Sequence, residues 1–217
     1  MTVPIVYHPD YIAPLRPGHR FPMSKYGYLR AALVARGLLP ASGGYIAPAP
    51  ASIDQVAEIH ARDYVERVVN QTLTRDEQRR IGLPDTPAVS RRAFLASSGT
   101  LLAARLAIEH GIACNMAGGS HHAGPEGGAG YCVFNDVAIA ARTLLDEQPD
   151  LRVLVLDCDV HQGDGTARIF EREPRVTTVS LHAERNYPAR KAVSDLDFPL
   201  PDGLGDAPYL EVLNHVL

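Results

Sequence analysis

No two cysteines stand at CxxC spacing, and the three present (Cys114, Cys132 and Cys158) are an odd number. A disulfide framework and a thiolate zinc site are therefore excluded as organising principles. There is no basic surplus either. Lys and Arg total 21 against 25 Asp and Glu, giving a formal net charge of -4 and a pI near 6.1. Direct nucleic-acid binding is not expected of such a surface. The stretch from Met1 to Tyr11 holds neither a charged n-region nor a long apolar core, so no signal peptide is read there. No apolar run approaches the ~18 residues that span a bilayer. The expectation is a chain without a membrane partner, in a reducing, cytoplasmic setting. Internal repeats and low-complexity tracts are also absent.

What is present is ordinary in bulk. Of 217 residues, 46% are hydrophobic and 21% charged, as in an average globular chain. The length suits one α/β domain over residues 1–217. Ile5-Val6-Tyr7 reads as an opening strand. Ser24 is placed to cap a helix over Lys25 to Arg36, with Gly37 as its stop and Tyr28, Leu29, Ala32 and Leu33 on one side. After a loose stretch from Pro40 to Ala51, Ser52-Ile53-Asp54-Gln55 fits a capping box. The helical region it opens breaks near His60 and resumes to Val69. Gln71 to Pro87 reads as a polar surface excursion. Ser90 is read as the cap of a long helix ending before Gly111, with Phe94, Leu101, Leu102 and Leu106 as its stripe. Ile112 to Met116 reads as a buried strand, and Asn135 or Asp136 caps a helix through Leu145. Leu151 to Asp159 has the near-continuous apolar pattern of a strand covered on both faces. A short helix from Thr166 to Phe170 and a strand from Arg175 to Leu181 follow. Strands alternating with helices predict an α/β fold, a parallel sheet flanked by helices on both faces.

Three segments carry chemistry. Asp157-Cys158-Asp159-Val160-His161 ends the apolar strand, where strand alternation would send Asp157, Asp159 and His161 to one side. Two carboxylates and an imidazole at the carboxyl end of a parallel strand suit Zn²⁺, or Fe²⁺ as second choice. The plainer reading is a solvated strand end with Asp as turn former, but acids flanked by Val-Leu-Val-Leu are costly without a purpose. Gly118-Gly119-Ser120-His121-His122-Ala123-Gly124-Pro125 places adjacent histidines in a glycine-rich loop, able to serve a metal or act as acid and base; a surface loop is the alternative. Gly130-Tyr131-Cys132-Val133-Phe134-Asn135-Asp136 reads by itself as a helix cap preceded by core aromatics.

Together these segments resemble the histone deacetylase family, which includes bacterial acetylpolyamine and acetoin-utilisation relatives. Further matches are Glu58-Ile59-His60 with Asp63-Tyr64-Val65, Gly163-Asp164-Gly165-Thr166 and Val179-Ser180-Leu181-His182. His19 to Tyr26, with Asn186-Tyr187-Pro188, looks most like the class IV and related bacterial branch. The resemblance implies an arginase/deacetylase-like fold and zinc-dependent hydrolysis of an N-acyl amide. The substrate would be an acyl-lysine protein or peptide, or a small N-acyl amine. It makes Asp159 and His161 two of three zinc ligands. His121 and His122 become the tandem histidines, paired with Asp157 and Asp164, and His122 the general base. Gly130, Tyr131 and Tyr187 would line a tube for the acyl-lysine side chain. The carbonyls of Asp157, Asp159, His161 and Leu181, with the Ser180 hydroxyl, would hold a structural monovalent cation, usually K⁺.

The family's third ligand, an aspartate on a later strand, and its later tyrosine have no counterpart here. Asp195, Asp197, Asp202 and Asp206 fall in a Pro/Gly-rich stretch matching the family's linker. The resemblance thus implies weak zinc binding, an oxyanion short of a donor worth roughly 3 kcal/mol, and an uncovered sheet edge. From this follow the expectations that the natural product is longer and that this chain is inactive or nearly so. Two other readings stand beside the enzyme. One is an inactive fragment serving as a binding or regulatory module; the other is an arginase-type hydrolase, against which the tandem histidines argue.

Overall fold

The computed structural model describes residues 3–41 and 43–217. Met1, Thr2 and Ser42, which belong to the N-terminal segment and the Pro40–Ala51 stretch read above, lie outside the described residues. The chain runs through β1 (Ile5–Val6), a 3₁₀ turn (Pro9–Tyr11), α1 (Lys25–Ala35), α2 (Ile53–Ala57), α3 (Arg62–Asn70), α4 (Arg75–Ile81) and α5 (Pro87–His110). It continues with β2 (Cys114–Asn115), α6 (Asp136–Glu147), β3 (Val153–Asp157), α7 (Asp164–Phe170), β4 (Val176–Ala183), β5 (Leu196–Leu200) and α8 (Asp206–Val216). Every strand pair is parallel, as expected, in two sheets rather than one: β1 beside β2, and β3-β4-β5 with β4 central. The crossover from β3 to β4 passes through α7.

Several local signals act as their chemistry dictates. Ser52 and Gln55 form a reciprocal capping box, which satisfies two otherwise orphan N–H groups. The helix then breaks before His60. Asn135 caps α6 by accepting from Ala138 N–H. Others differ. Ser24 makes no side-chain bond at the start of α1, and of the supposed stripe Tyr28, Leu29 and Ala32 are exposed; the buried residue of α1 is Tyr26. Thr86, not Ser90, caps α5, because Pro87 at the first helical position fixes the entry. Ser90 is buried inside the helix. On α5, Phe94 and Leu101 are buried, whereas Leu102 and Leu106 are only half-buried.

Two strands are less covered than their apolar runs suggest. The Ile112–Met116 segment yields a two-residue strand, with Ile112 exposed. In β3, Leu154 is 61% exposed, so the run is an edge strand with one open face. The residues from Asp195 onward are not a loop throughout: they form β5 and α8, and α8 buries none of its residues.

The main core packs α5 and α3 around Phe134, with Tyr64, Leu95 and Ile81 fully buried. Phe94 and Tyr64 meet the Phe134 ring edge-on at 5.0 and 6.0 Å between centroids, the geometry aromatic quadrupoles favour. Val133 and Phe134 thus fulfil the core reading of their segment. His60 closes this core: its Nδ1 donates to the Gly124 carbonyl at 2.8 Å and its Nε2 accepts from Asn135 N–H at 2.9 Å. Accepting at Nε2 requires the neutral ring, and burial lowers its pKa to about 4 despite the Gly124 bond. The unfolded chain therefore takes up a proton near the ordinary value of 6.5 that the folded chain refuses. This contribution to stability is complete above pH 6.5 and is lost as the pH falls toward 4. Urea midpoints measured across that interval should fall in the wild type and fall less in His60→Gln; equal slopes would refute the assignment.

Candidate active site

The tandem histidines are held by the backbone around them. Gly118 and Gly119 take φ of 106° and 72°, and a Cβ on Gly118 would lie 2.5 Å from an Asp136 carboxylate oxygen. That carboxylate, 1% exposed at the start of α6, accepts from Gly119 N–H (3.0 Å), Ser120 N–H (2.8 Å) and the Thr100 hydroxyl (2.6 Å). Asp136 is thus a clamp on the histidine loop, a role that its reading as a helix cap did not capture. Beyond the histidines, Asn135 Nδ2 donates to Ala123 O at 3.1 Å, and Thr166 N–H to His121 O at 3.1 Å.

Each histidine is paired with the carboxylate anticipated for it. His121 Nδ1 meets Asp157 Oδ2 at 2.5 Å, and His122 Nδ1 meets Asp164 Oδ1 at 2.7 Å. With Nδ1 protonated toward an anion, each ring keeps its Nε2 lone pair free. The two rings lie 4.1 Å apart, yet their environments push them in opposite directions. Burial disfavours charge on His121, but the Asp157 bond and the neighbouring carboxylates outweigh it and raise its pKa. For His122, burial wins: with the neighbouring His121 and His161 rings acting in the same direction, it outweighs Asp164 and lowers the pKa. Asp164 itself is buried, a cost more than offset by its bonds to His122 and Arg168, which hold it below the usual carboxylate range.

Asp159 and His161 come together by a different route from the one strand alternation suggests. β3 ends at Asp157, and two successive side-chain-to-backbone turns follow. Asp159 N–H donates to Asp157 Oδ1 at 3.0 Å, and His161 N–H to Asp159 Oδ1 at 2.8 Å. Such Asx turns bend the chain back on itself, and Ala183 N–H fastens the bend to β4 through Val160 O at 2.9 Å. Asp159 Oδ1 then lies 2.9 Å from His161 Nδ1 and 3.8 Å from His121 Nε2. A carboxylate oxygen and an imidazole nitrogen side by side, here hydrogen-bonded to each other, suit a zinc ion by donor type. They supply two donors; among the described residues no group of three or more His, Cys, Asp or Glu side chains is arranged to hold a metal. Two of the later aspartates, Asp195 and Asp197, are engaged elsewhere. Asp195 accepts from Thr178 N–H and hydroxyl, and Asp197 from Gln162 Nε2 and Ser194 N–H. Of the residues expected around a monovalent cation, Asp157 stands opposite Ser180 in the β3–β4 register. Ser180 and Leu181 are buried, while Asp159 and His161 occupy the turn beyond.

These groups open into a cleft of about 510 Å³ whose lining includes His121, His122, Gly130, Tyr131, Asp159, His161 and Tyr187. Tyr187 stands edge-on to His122, centroids 4.7 Å apart. Gly130 is wedged between them: a Cβ there would be 2.5 Å from the His122 ring and 3.2 Å from Tyr187. The opposite wall depends on α4, in the segment read above as a surface excursion. Gly130 and Tyr131 N–H groups donate to the last α4 carbonyls, Arg80 O (3.0 Å) and Ile81 O (2.7 Å), while Arg80 Nε reaches Gly128 O at 3.0 Å. This satisfies orphan helix carbonyls and holds Tyr131 at φ 66°, unusual for a bulky residue. The signal was present in the sequence: Thr74 and Glu77 form a capping box, and Gly82 ends the helix at φ 76°.

Residues 19–217 match the histone deacetylase domain family. An uncharacterized protein of Picosynechococcus sp. is 48% identical over the whole of this chain, which covers 72% of that protein. A protein of Archaeoglobus fulgidus named "Probable deacetylase" is 30% identical, again over the whole chain, which spans 64% of its length. The crystal structure of a histone deacetylase homologue from Aquifex aeolicus superposes with a TM-score of 0.81 at 23% identity, over all of this chain and 64% of that one. Sequence match and fold agree, and the chain belongs to the histone deacetylase family, a family of deacetylase-type hydrolases.

Proposed function

We propose that the cleft hydrolyses an N-acyl amide of the acyl-lysine type, with zinc held by Asp159 and His161. The observation that carries this reading is the pair of histidines, each with Nδ1 on its own carboxylate, facing the Asp159–His161 pair at the floor of one cleft. When bound, zinc would supply Lewis acidity and lower the pKa of water toward ~7. The chain's own groups do the rest. Gly130, Tyr131 and Tyr187 hold the methylene chain by apolar contact and leave no room for a side chain beside the acyl group. His122 takes a proton from the attacking water at Nε2 and returns it to the departing amine nitrogen. Asp164 keeps that Nε2 unprotonated by holding the proton of the ring on Nδ1. His121 stays close to its anions and serves the developing negative charge electrostatically. K⁺ between the Asp157 turn and the Ser180–Leu181 strand would stiffen the bend that carries Asp159 and His161. Fe²⁺ is the second choice of metal for the same donors.

Zinc titration with a competing chromophoric chelator, beside hydrolysis of a fluorogenic acetyl-lysine peptide, tests this reading. Removing one of two protein donors, as in His161→Ala, is expected to weaken zinc binding by at least roughly tenfold. Chelation is expected to remove turnover. Turnover that persists through chelation would overturn the proposal. A chain that loads zinc at Asp159 and His161 yet releases amine from no acyl-lysine peptide would be a binding module.

A further inference from the structure

A second groove, of about 790 Å³, runs beside the catalytic cleft and shares Arg79 and Gly82 with it, so the two are continuous along α4. Its lining includes Arg16, His19, Arg75, Gln78 and Arg79 against a single carboxylate, Asp76. Asp76 is already paired with Arg79. Arg16 and Arg75 are exposed, and neither has a carboxylate partner among the described residues. Arg75 and Arg79 stand four residues apart on one helix face, a spacing at which like charges repel. The chain as a whole is acidic, at net -4, so this concentration of guanidinium groups is local and not a matter of composition.

His19 is engaged at both ring nitrogens. Its Nδ1 accepts from Phe21 N–H at 3.0 Å, which leaves Nε2–H to donate to Gly82 O at 3.1 Å. The ring ties the N-terminal loop to the end of α4. It also lies 6.2 Å from the Tyr131 ring, the wall of the cleft. Because the grooves share Arg79 and Gly82, a peptide whose acyl-lysine enters between Tyr131 and Tyr187 has a continuous path along α4 toward Arg75 and Arg16.

We propose that this groove reads the residues flanking the acylated lysine, binding their carboxylates, so that the preferred substrate is an acidic peptide. The proposal rests on the acyl-lysine reading of the cleft. Its test is fluorescence anisotropy with labelled acetyl-lysine peptides flanked by three glutamates, three alanines or three lysines, using the full chain with zinc. The glutamate peptide is expected to bind roughly tenfold more tightly than the lysine peptide at low salt, with the preference shrinking at high salt. Arg16→Gln combined with Arg75→Gln should bring the ratio close to one, and Arg16→Glu combined with Arg75→Glu should invert it. Equal affinities for the three peptides, or a preference that survives the double variant, would overturn the groove. So would equal binding of a glutamate peptide lacking acetyl-lysine, which would show a general anion patch and not a substrate subsite. Hydrolysis assays on the same peptides separate the two readings. Hydrolysis with no charge preference sinks the groove alone. An acidic preference in binding, dependent on acetyl-lysine but without hydrolysis of any peptide, sinks the hydrolase reading and leaves the groove.

Discussion

Replacing His122 with alanine is expected to lower kcat/KM for an acetyl-lysine peptide by roughly 10²–10⁴-fold, the usual worth of a positioned general acid–base. Zinc content should not change, because the ring is not among the proposed donors. The expectation follows from position and from the direction of two pKa shifts. His122 is the imidazole that burial holds toward its neutral form, while its neighbour is held toward the charged form by Asp157 and the surrounding carboxylates. Two titratable groups pushed apart in this way divide the acid–base and electrostatic roles. Asp164→Asn should fall between wild type and His122→Ala, at roughly 10–100-fold, because the bond at Nδ1 survives while the anion is lost. A His122→Ala protein within tenfold of wild type, with zinc and far-UV circular dichroism intact, would show that the proton is handled elsewhere.

The largest effect on stability is expected at Gly165, in the first turn of α7. A Cβ there would meet Ala123 O at 2.4 Å, His122 C at 2.6 Å and Ala123 C at 2.7 Å. All three are backbone atoms, so no flexible side chain can move aside. The same backbone is pinned by Thr166 N–H on His121 O and by Asn135 Nδ2, which bridges Ala123 O and the Thr166 hydroxyl. Forcing in a methyl group must push α7 away from the histidine loop, at roughly 1–3 kcal/mol or more. For a chain of this size that corresponds to a loss of roughly 2–12 °C in Tm. It should also cost activity, since Asp164 is the adjacent residue and would be drawn off His122. Gly124→Ala is the control: it lies two residues beyond His122, its φ is not in the left-handed region, and nothing stands within 4 Å of its Cβ position. Equal melting temperatures for the two variants would refute the packing argument.

The sequence by itself determined the parallel α/β architecture and the identities of the chemical groups. Alternating strands and helices, glycines around His121-His122, and acids closing an apolar strand are local patterns that only a few arrangements can satisfy. The pairings of His121 with Asp157 and His122 with Asp164 were legible through resemblance, and spacing alone would not have revealed them. Their partners lie 36 and 42 residues away, a separation that only folding closes.

What the tertiary structure decided is how these groups are held. Strand periodicity predicted that Asp157, Asp159 and His161 share a face. The actual device is a pair of Asx turns beyond the strand, because a carboxylate can capture a backbone N–H two residues on once the ladder has ended. Apolar runs at Ile112–Met116 and Leu151–Asp159 suggested strands covered on both sides. Whether a side chain is covered depends on what packs over it, and Ile112 and Leu154 remain open. The polar segment after Gln71 looked like surface and does present charge to solvent, yet the free carbonyls at its helical end hold Tyr131 in a left-handed conformation. Asp136 likewise reads as a helix cap until the fold brings the Gly119 and Ser120 amides to its carboxylate. In the last two cases the deciding interaction reaches backbone amides or carbonyls distant in sequence. Every residue carries those same groups, so composition and periodicity leave no mark of which ones will meet.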